Sequence, residues 1–337
     1  MNTFFNSDNL RYAVIGSGSW ATAIVKLLCE TQSKIGWYIR SQENIDFIKQ
    51  YGHSRSYLQS ASLNRNVIEM SNDIDMVVRE ADVLIVAIPS AYFVKELSKV
   101  KCSLDDKFII SAVKGFVTDE HLTVAEYFNR LYNIPFDRLG VISGPCHAEE
   151  VSMGRLSYLT LSSKHQDVAD ELCKVFQTPY SNTVPCIDIY GVEYGAALKN
   201  IYAVGAGICS GLGYGDNFMA VYISSAFNEM VTFLNISHPD KDRVTEKSAY
   251  LGDLLVTCYS QFSRNRTFGA MLGKGYSVQT AQLELKMIAE GYYSVKALKE
   301  INKKFNVNMP IADAVYDIMY NNASSAVTIK NLLNKLQ

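Results

Sequence analysis

The segment Tyr12-Ala-Val-Ile-Gly16-Ser-Gly18-Ser-Trp20-Ala21 restricts the fold of this chain more than any other. A short apolar run stops at a Gly-x-Gly turn, and a helical pattern follows at once, Thr22-Ala-Ile-Val-Lys-Leu-Leu-Cys-Glu30. Strand, glycine turn and helix in that order open a βαβ dinucleotide-binding unit. Gly16 permits the tight turn, Gly18 permits backbone to approach a pyrophosphate, and Ala21 is small where a third glycine is common. The helix N-terminus offers N–H donors and the positive end of its dipole to phosphates. A purely structural glycine turn is the competing explanation; a strand before and a helix after argue against it.

A chain of 337 residues suggests two domains. The first half alternates apolar runs with helical patterns, which predicts a doubly wound, mostly parallel α/β sheet of Rossmann type over 1–188. Strands are expected near Tyr12–Gly16, Ile35–Ile39, Val83–Ile88, Phe108–Ala112, Val141–Ser143 and Tyr158–Leu161. Helices are expected over Trp20–Glu30, Asp73–Glu80 (capped by Ser71 or Asn72), Ala91–Lys99 and Gln166–Phe176. From 189 to 337 only helical patterns recur: Val192–Ile208, Met219–Leu234, Thr245–Tyr259, Val278–Leu285, Val295–Phe305 and Ala312–Tyr320. That part is expected to be an all-α substrate-binding domain.

The net charge of −2 gives no support for nucleic-acid or anionic-membrane binding. Seven cysteines without a Cys-x-x-Cys read as reduced thiols of a cytoplasmic protein, not as a disulfide framework or a metal site. The N-terminus carries no basic region followed by an apolar stretch, so no signal peptide is expected. The most apolar long stretch, around Ala196–Cys209, contains Lys199 and Asn200, which argues against a membrane span.

Ligands of open parallel sheets bind beyond the carboxyl ends of the strands. Three segments fall there: Val86-Ala-Ile-Pro89-Ser90, Ser111-Ala-Val-Lys114-Gly115, and Ser143-Gly144-Pro145-Cys146-His147-Ala148. Lys114 is suited to an anionic group, or is a solvated loop lysine. Arg40, after the second strand, stands where an NAD-selective site carries an acid; it suits a 2′-phosphate or the face of adenine, and tilts the reading toward NADP or dual use. Lys199 lies among small apolar residues, and burial moves a lysine amine toward the range useful for proton transfer; a lysine snorkelling to the surface is the alternative. Asp253 is a candidate partner for a buried ammonium. Arg264 offers a planar fork of donors for phosphate, flanked by Ser263 and Asn265, although Ser-Arg-Asn also reads as a plain helix cap.

Taken together, these segments resemble the bacterial-type NAD(P)-dependent glycerol-3-phosphate dehydrogenases. The resemblance runs from about residue 11 to about residue 320, and its specificity lies in the shared order and spacing of motifs. They are Gly16-Ser-Gly18-Ser-Trp20-Ala-Thr22-Ala23, Ala87-Ile-Pro89-Ser90, Val113-Lys114-Gly115, Ser143-Gly144-Pro145, Ala148-Glu-Glu-Val151 and Ala197-Leu198-Lys199-Asn200. Gly211-Leu-Gly213-Tyr-Gly215-Asp-Asn217, Gly252-Asp253-Leu254, Ser263-Arg264-Asn265-Arg266 with Phe268-Gly269, and Ala289-Glu290-Gly291 complete the set.

The resemblance implies an oxidoreductase that reversibly reduces dihydroxyacetone phosphate to sn-glycerol 3-phosphate with NADH or NADPH, supplying the glycerol backbone of phospholipids in the cytoplasm. It implies that Lys199 is the general acid/base, Lys114 a lysine touching substrate and cofactor, and Asp253 the carboxylate near the reacting hydroxyls. Ser263, Arg264 and Asn265 match the substrate-phosphate region, with Arg264 also near the cofactor. Gly144 and Cys146 match further substrate contacts. Gly16, Gly18, Ser19, Trp20, Arg40, Ala148, Ile288 and Glu290 match cofactor contacts. No metal and no nucleic acid is implied, and aromatic-rich helices are compatible with a homodimer.

Four departures stand out. Cys146 replaces a common Ser or Thr, Ala21 a usual glycine, and Met219 a frequent Lys or Arg, while Ile223-Ser224-Ser225-Ala226 lacks a Thr-Arg-Gly. Two competing readings remain at this point. One is a related two-domain dehydrogenase taking a carboxylate substrate, similar to ketopantoate reductases or 3-hydroxyacid dehydrogenases; Ser-Arg-Asn and Lys199-Asn200 argue against it. The other is a non-catalytic dinucleotide sensor, against which Lys199 and Asp253 both stand.

Overall fold

A computed structural model describes residues 4–6, 10–285 and 287–336. Eight strands form one sheet: β1 (Tyr12–Ile15), β2 (Ile35–Tyr38), β3 (Ile68–Ser71), β4 (Val83–Val86), β5 (Phe108–Ser111), β6 (Leu139–Ser143), β7 (Ser157–Ser163) and β8 (Ser181–Cys186). Their spatial order is β3-β2-β1-β4-β5-β6-β7-β8. Every neighbouring pair is parallel except β6 and β7, which run antiparallel, Val141 facing Ser162.

The central strands are continuous apolar runs because helices cover both faces of a parallel sheet. All of Tyr12–Ile15 and Val83–Val86 is buried. The helix Ser19–Thr31 turns Ile24, Val25, Leu27 and Leu28 into the core, where Val14, Trp37, Ile85, Ile110 and Phe176 also pack. Each such aliphatic side chain contributes about 1.5–3 kcal/mol on burial.

Two strands and several helices differ from the expectation. β3 and β8 fall where no strand is expected from the sequence, and they are the two edges of the sheet. An edge strand is covered on fewer sides, so Ile68-Glu-Met-Ser71 and Ser181-Asn-Thr-Val-Pro185-Cys186 lack a continuous apolar run; proline, barred from central strands, is tolerated in β8. The cap of helix Ile74–Glu80 is Asp73, whose carboxylate accepts from the N–H groups of Asp75 and Met76, rather than Ser71 or Asn72. The helix expected over Ala91–Lys99 is a 3-10 turn, Ser90–Tyr92, followed by Phe93–Leu97. Helices Gln42–Tyr51, Val124–Tyr132 and Ala148–Ser152 were not expected.

The chain divides into two compact units. One takes the residues up to Val113 and Val124–Ile189, which include the whole sheet; the other takes Lys114–Thr123 and Tyr190 onward. Among its described residues the second unit contains no strand of the sheet. Its centre is Ile189–Gly211, buried nearly all round, as an apolar helix with no solvent face must be. It approaches helix Arg264–Gly273 along a glycine seam: a Cβ on Gly207 would overlap the Arg266 carbonyl, and one on Gly269 the Val204 carbonyl. That glycine content lowers helix propensity and hid Arg264–Gly273 from the sequence pattern. Around these two lie Asp216–Ser237, Asp253–Tyr259 (preceded by a π-helical turn, Ser248–Gly252), Val278–Leu285, Glu290–Asn302, Pro310–Tyr320 and Ser325–Leu333.

The buried Glu229 carboxylate accepts from the Ile311 and Ala312 N–H groups at 2.8 and 3.0 Å, so it caps helix Pro310–Tyr320. Burial pushes its pKa up to about 7, against the lowering effect of those two hydrogen bonds. No helix among the described residues is long and apolar enough to cross a membrane.

Candidate active site

In the sheet unit, β2 and β3 extend to one side of β1, and β4 and the later strands to the other. The order therefore reverses between β1 and β4, and the crevice beyond their carboxyl ends is where such sheets hold ligands. The Gly16–Gly18 turn leaves β1 at this point. Gly16 has φ +131°, and a Cβ there would come 2.5 Å from the Ala87 carbonyl oxygen. Only glycine fits that conformation and that close approach.

Gly18 is different. Its backbone is extended, and a Cβ would meet nothing within 4 Å. It is the N-cap of helix Ser19–Thr31, and no side chain caps that terminus. Open space above an uncapped helix N-terminus at the switch point fits a dinucleotide pyrophosphate. Ser19 is buried and Trp20 half-buried in the first turn.

Arg40 follows β2 with its side chain 72% exposed, and its Nη1 lies 3.7 Å from Glu96 Oε1. The Glu96 carboxylate is buried and also receives Lys99 Nζ at 2.8 Å and the Tyr38 hydroxyl at 2.9 Å. Burial raises its pKa, but the hydrogen bonds from Lys99 and Tyr38 and the charges of Lys99 and Arg40 outweigh that and hold it below the usual range. On the far side of β1, Gly144 and Cys146 follow β6. The Cys146 thiol is buried and donates to the Gly144 carbonyl at 3.0 Å, so it is turned into its own loop. Ala148 opens the short helix after it.

In the helical unit, Lys199 and Asp253 form an ion pair through Lys199 Nζ and Asp253 Oδ1. Their side chains are 4% and 2% exposed, so neither charge is buried alone. Thr257 donates to the Asp253 carbonyl at 2.6 Å, with its hydroxyl 3.5 Å from Asp253 Oδ1. Burial pushes the Cys258 thiol, on the same helix, up to about 12, so it stays protonated and inert.

Asn200, beside Lys199, links three elements. Its Nδ2 donates to the Lys114 carbonyl at 2.7 Å, and its Oδ1 accepts from Asn265 Nδ2 at 2.8 Å. Asn265 Oδ1 in turn accepts from the Gly291 N–H at 2.9 Å, next to Glu290. Lys114 is thereby tied by its backbone to the helix of Lys199, with its side chain half-buried. Ser263 caps helix Arg264–Gly273 by accepting from the Arg266 N–H, and Arg264 is the first residue of that helix. Ile288 is half-buried in the loop before Glu290, which begins helix Glu290–Asn302.

The helical unit thus brings together Lys114, Lys199, Asp253 and Asn265, while the sheet unit gathers the glycine turn, Ser19 and Trp20 at one strand end. The Ser263 hydroxyl makes the helix-cap bond that was the motif's alternative reading, whereas the Asn265 carboxamide joins a hydrogen-bond chain that the motif alone did not reveal. Asn200 and Thr257 were missed as members of the site. Their signal was adjacency: an amide beside a buried lysine, and a hydroxyl one helical turn after a buried carboxylate.

The profile of the NAD-dependent glycerol-3-phosphate dehydrogenase N-terminus matches residues 11–169, and that of the C-terminus matches residues 188–330. A protein of Staphylococcus saprophyticus named glycerol-3-phosphate dehydrogenase (NAD(P)+) is 32% identical over 342 residues, covering 96% of this chain and 98% of its own. The chain belongs to the NAD-dependent glycerol-3-phosphate dehydrogenase family. A second family member, from Syntrophomonas wolfei, is 29% identical over 327 residues, covering 96% of this chain and 95% of its own. In fold, the glycerol-3-phosphate dehydrogenase crystal structure from Coxiella burnetii superposes with a TM-score of 0.86 at 24% identity, covering 96% of this chain and 99% of that one. This is the architecture expected from the sequence, a Rossmann-type sheet unit opened by the glycine motif and an all-α companion where only helical patterns recur.

Proposed function

We propose that this chain catalyses the reversible NAD(P)H-dependent reduction of dihydroxyacetone phosphate to sn-glycerol 3-phosphate. The observation that carries the reading is the Lys199–Asp253 pair, an amine and a carboxylate both shielded from water in a member of this dehydrogenase family. Dinucleotide binding is assigned to the sheet unit and substrate binding mainly to the helical unit.

When bound, the reduced nicotinamide supplies the hydride to the carbonyl carbon. As negative charge grows on the ketone oxygen, the Lys199 ammonium stabilises it and delivers the proton that completes the alcohol. Asp253 holds Nζ in place; the Thr257 hydroxyl, donating to the Asp253 main-chain carbonyl, lies beside that side chain. The neutral amine regains its proton from solvent, so one proton is consumed per ketone reduced. In the oxidative direction the neutral amine accepts the hydroxyl proton. Lys114 and Arg264 supply positive charge for the substrate phosphate, Arg264 with a planar fork of donors. Ser263 and Asn265 shape that region by fixing the helix that carries Arg264, and Gly144 and Cys146 border the substrate.

Gly16, Gly18, Ser19, Trp20, Arg40, Lys114, Ala148, Arg264, Ile288 and Glu290 are assigned to the cofactor on the match of their motifs to the family. The exposed Arg40 guanidinium supports use of either cofactor, by stacking on adenine or by pairing with a 2′-phosphate. A homodimer in the cytoplasm, feeding glycerol 3-phosphate to phospholipid synthesis, belongs to the same reading; sedimentation at micromolar concentration checks the assembly. The deciding assay follows nicotinamide absorbance with dihydroxyacetone phosphate and each reduced cofactor in turn. Turnover is expected, together with oxidation of glycerol 3-phosphate. Oxidation of pantoate or 3-hydroxy acids with none of glycerol 3-phosphate overturns the proposal.

A further inference from the structure

Trp37 lies in the middle of β2, wholly buried, and its indole Nε1–H donates to the Gly16 carbonyl at 2.7 Å. In the ladder, Trp37 faces Val14 on β1, so the bond reaches forward from β2 to the residue just past the end of β1. The neighbouring carbonyl of Ile15 is taken by the Ala87 N–H at 2.9 Å. The Gly16 carbonyl lies beyond the β1–β2 pairing, which ends at Ile15 and Tyr38. Gly16 is buried, and its carbonyl needs a partner inside the protein.

We propose that Trp37 is a positioning residue for dinucleotide binding, acting by locking the Gly16–Ser17 peptide plane. This rests on the dehydrogenase reading above and deepens it. The peptide is planar and trans, so its C=O and its N–H point in opposite directions. With the carbonyl held against the buried indole, the Ser17 N–H is aimed away from the core, to the outer side of the turn that leads into Gly18. That N–H is the first backbone donor of the glycine turn presented to a pyrophosphate.

The restraint is needed because Gly16, at φ +131°, has no side chain to limit its rotation. The indole itself is fixed by the core around it, with Ile24, Ile39 and Ile85 in the same cluster, so forming the bond orders nothing new. A donor aimed before the ligand arrives saves the ordering cost at binding. Without the indole N–H the Gly16 carbonyl is left buried and unpaired, or rotates to find water and carries the Ser17 N–H with it.

The test is Trp37→Phe, which keeps an aromatic ring in the core and removes the donor. Calorimetric titration with NADH and with ADP-ribose is expected to give Kd values raised by about five- to tenfold for both ligands, the equivalent of one neutral hydrogen bond. At saturating NADH, kcat is expected to stay within about twofold, because the reacting groups are untouched. Ile24→Val, which trims the same core without touching the bond, is expected to leave both Kd values unchanged. Trp37→Phe binding ADP-ribose as tightly as the parent overturns the proposal; a parent protein that binds neither NADH nor NADPH overturns the dehydrogenase reading instead.

Should Trp37→Phe fail to fold, the parent decides. The chain has two tryptophans, so 15N-indole labelling gives two signals, assigned with Trp20→Phe. The Trp37 indole proton is expected to resist exchange without ligand and to shift when ADP-ribose binds. Rapid exchange, or no shift at saturation, overturns the proposal.

Discussion

The candidate site groups of the two units are made of different materials. In the sheet unit the candidate groups at the end of β1 are backbone: a left-handed Gly16, an open Gly18 and the uncapped start of helix Ser19–Thr31. In the helical unit they are side chains sunk in a packed core, Lys199 on Asp253 and Asn200 on Asn265. A backbone site tolerates little change of residue but leaves a compact motif. A side-chain site needs partners from distant segments and leaves no local pattern.

The largest effect should come from deleting a side chain of the second kind. Lys199→Ala is expected to lower kcat by about 10²–10⁴-fold while the Kd for NADH stays within about threefold. Single-turnover rates and calorimetry together check this, and an unchanged rate would remove Lys199 from the mechanism.

Next is the glycine seam that seats the two central helices. Gly269→Ala drives a methyl into the Val204 carbonyl and is expected to cost about 3 kcal/mol of stability by denaturant titration. A loss under about 1 kcal/mol would mean that the helices can part without penalty.

Glu229 gives the helical unit a pH signature. Its folded pKa of about 7 lies above the unfolded value of 4.5, so the folded state holds the extra proton between them. Its contribution to stability is therefore full below about pH 4.5 and is lost as pH rises through about 7. The stability of the parent relative to Glu229→Gln is expected to fall by roughly 2–3 kcal/mol between pH 5 and pH 8. Parallel stability curves for the two proteins would show that burial does not hold that proton.

The smallest energetic effect sharpens the contrast most. Gly18→Ala meets open space and an extended backbone, so melting is expected to be unchanged. Dinucleotide affinity is expected to drop about tenfold, or ~1.4 kcal/mol, because the methyl occupies ligand space. Equal affinity would mean that the pyrophosphate does not approach Gly18.

The same contrast explains what was legible in the sequence. The β1 turn, the central strands and the all-α second half could be read directly, because burial on both sides writes apolar runs. The edges β3 and β8 could not, since a half-covered strand carries Glu69, Asn182 and Pro185 without penalty. Lys199 and Asp253 could be named, and their pairing anticipated, because an isolated buried charge is too costly to leave alone. The engagement of Asn265 with Asn200 and Gly291 could not, because nothing local distinguishes an amide that faces a ligand from one that closes a hydrogen-bond chain. The seam of Gly207, Gly211, Gly269 and Gly273 was hidden for the same reason: its logic lies in a neighbour distant in sequence.

The excursion of Lys114–Thr123 into the helical unit has a consequence for anyone cutting the gene. The polypeptide passes from one body to the other three times, so no single break separates them. A fragment ending near residue 188 would carry off a segment of its neighbour's fabric, and the remainder would start life with the Asn200 amide missing the Lys114 carbonyl and left with that of Ala196. A clean separation would have to graft Lys114–Thr123 onto the second piece as well as cut after Ile189.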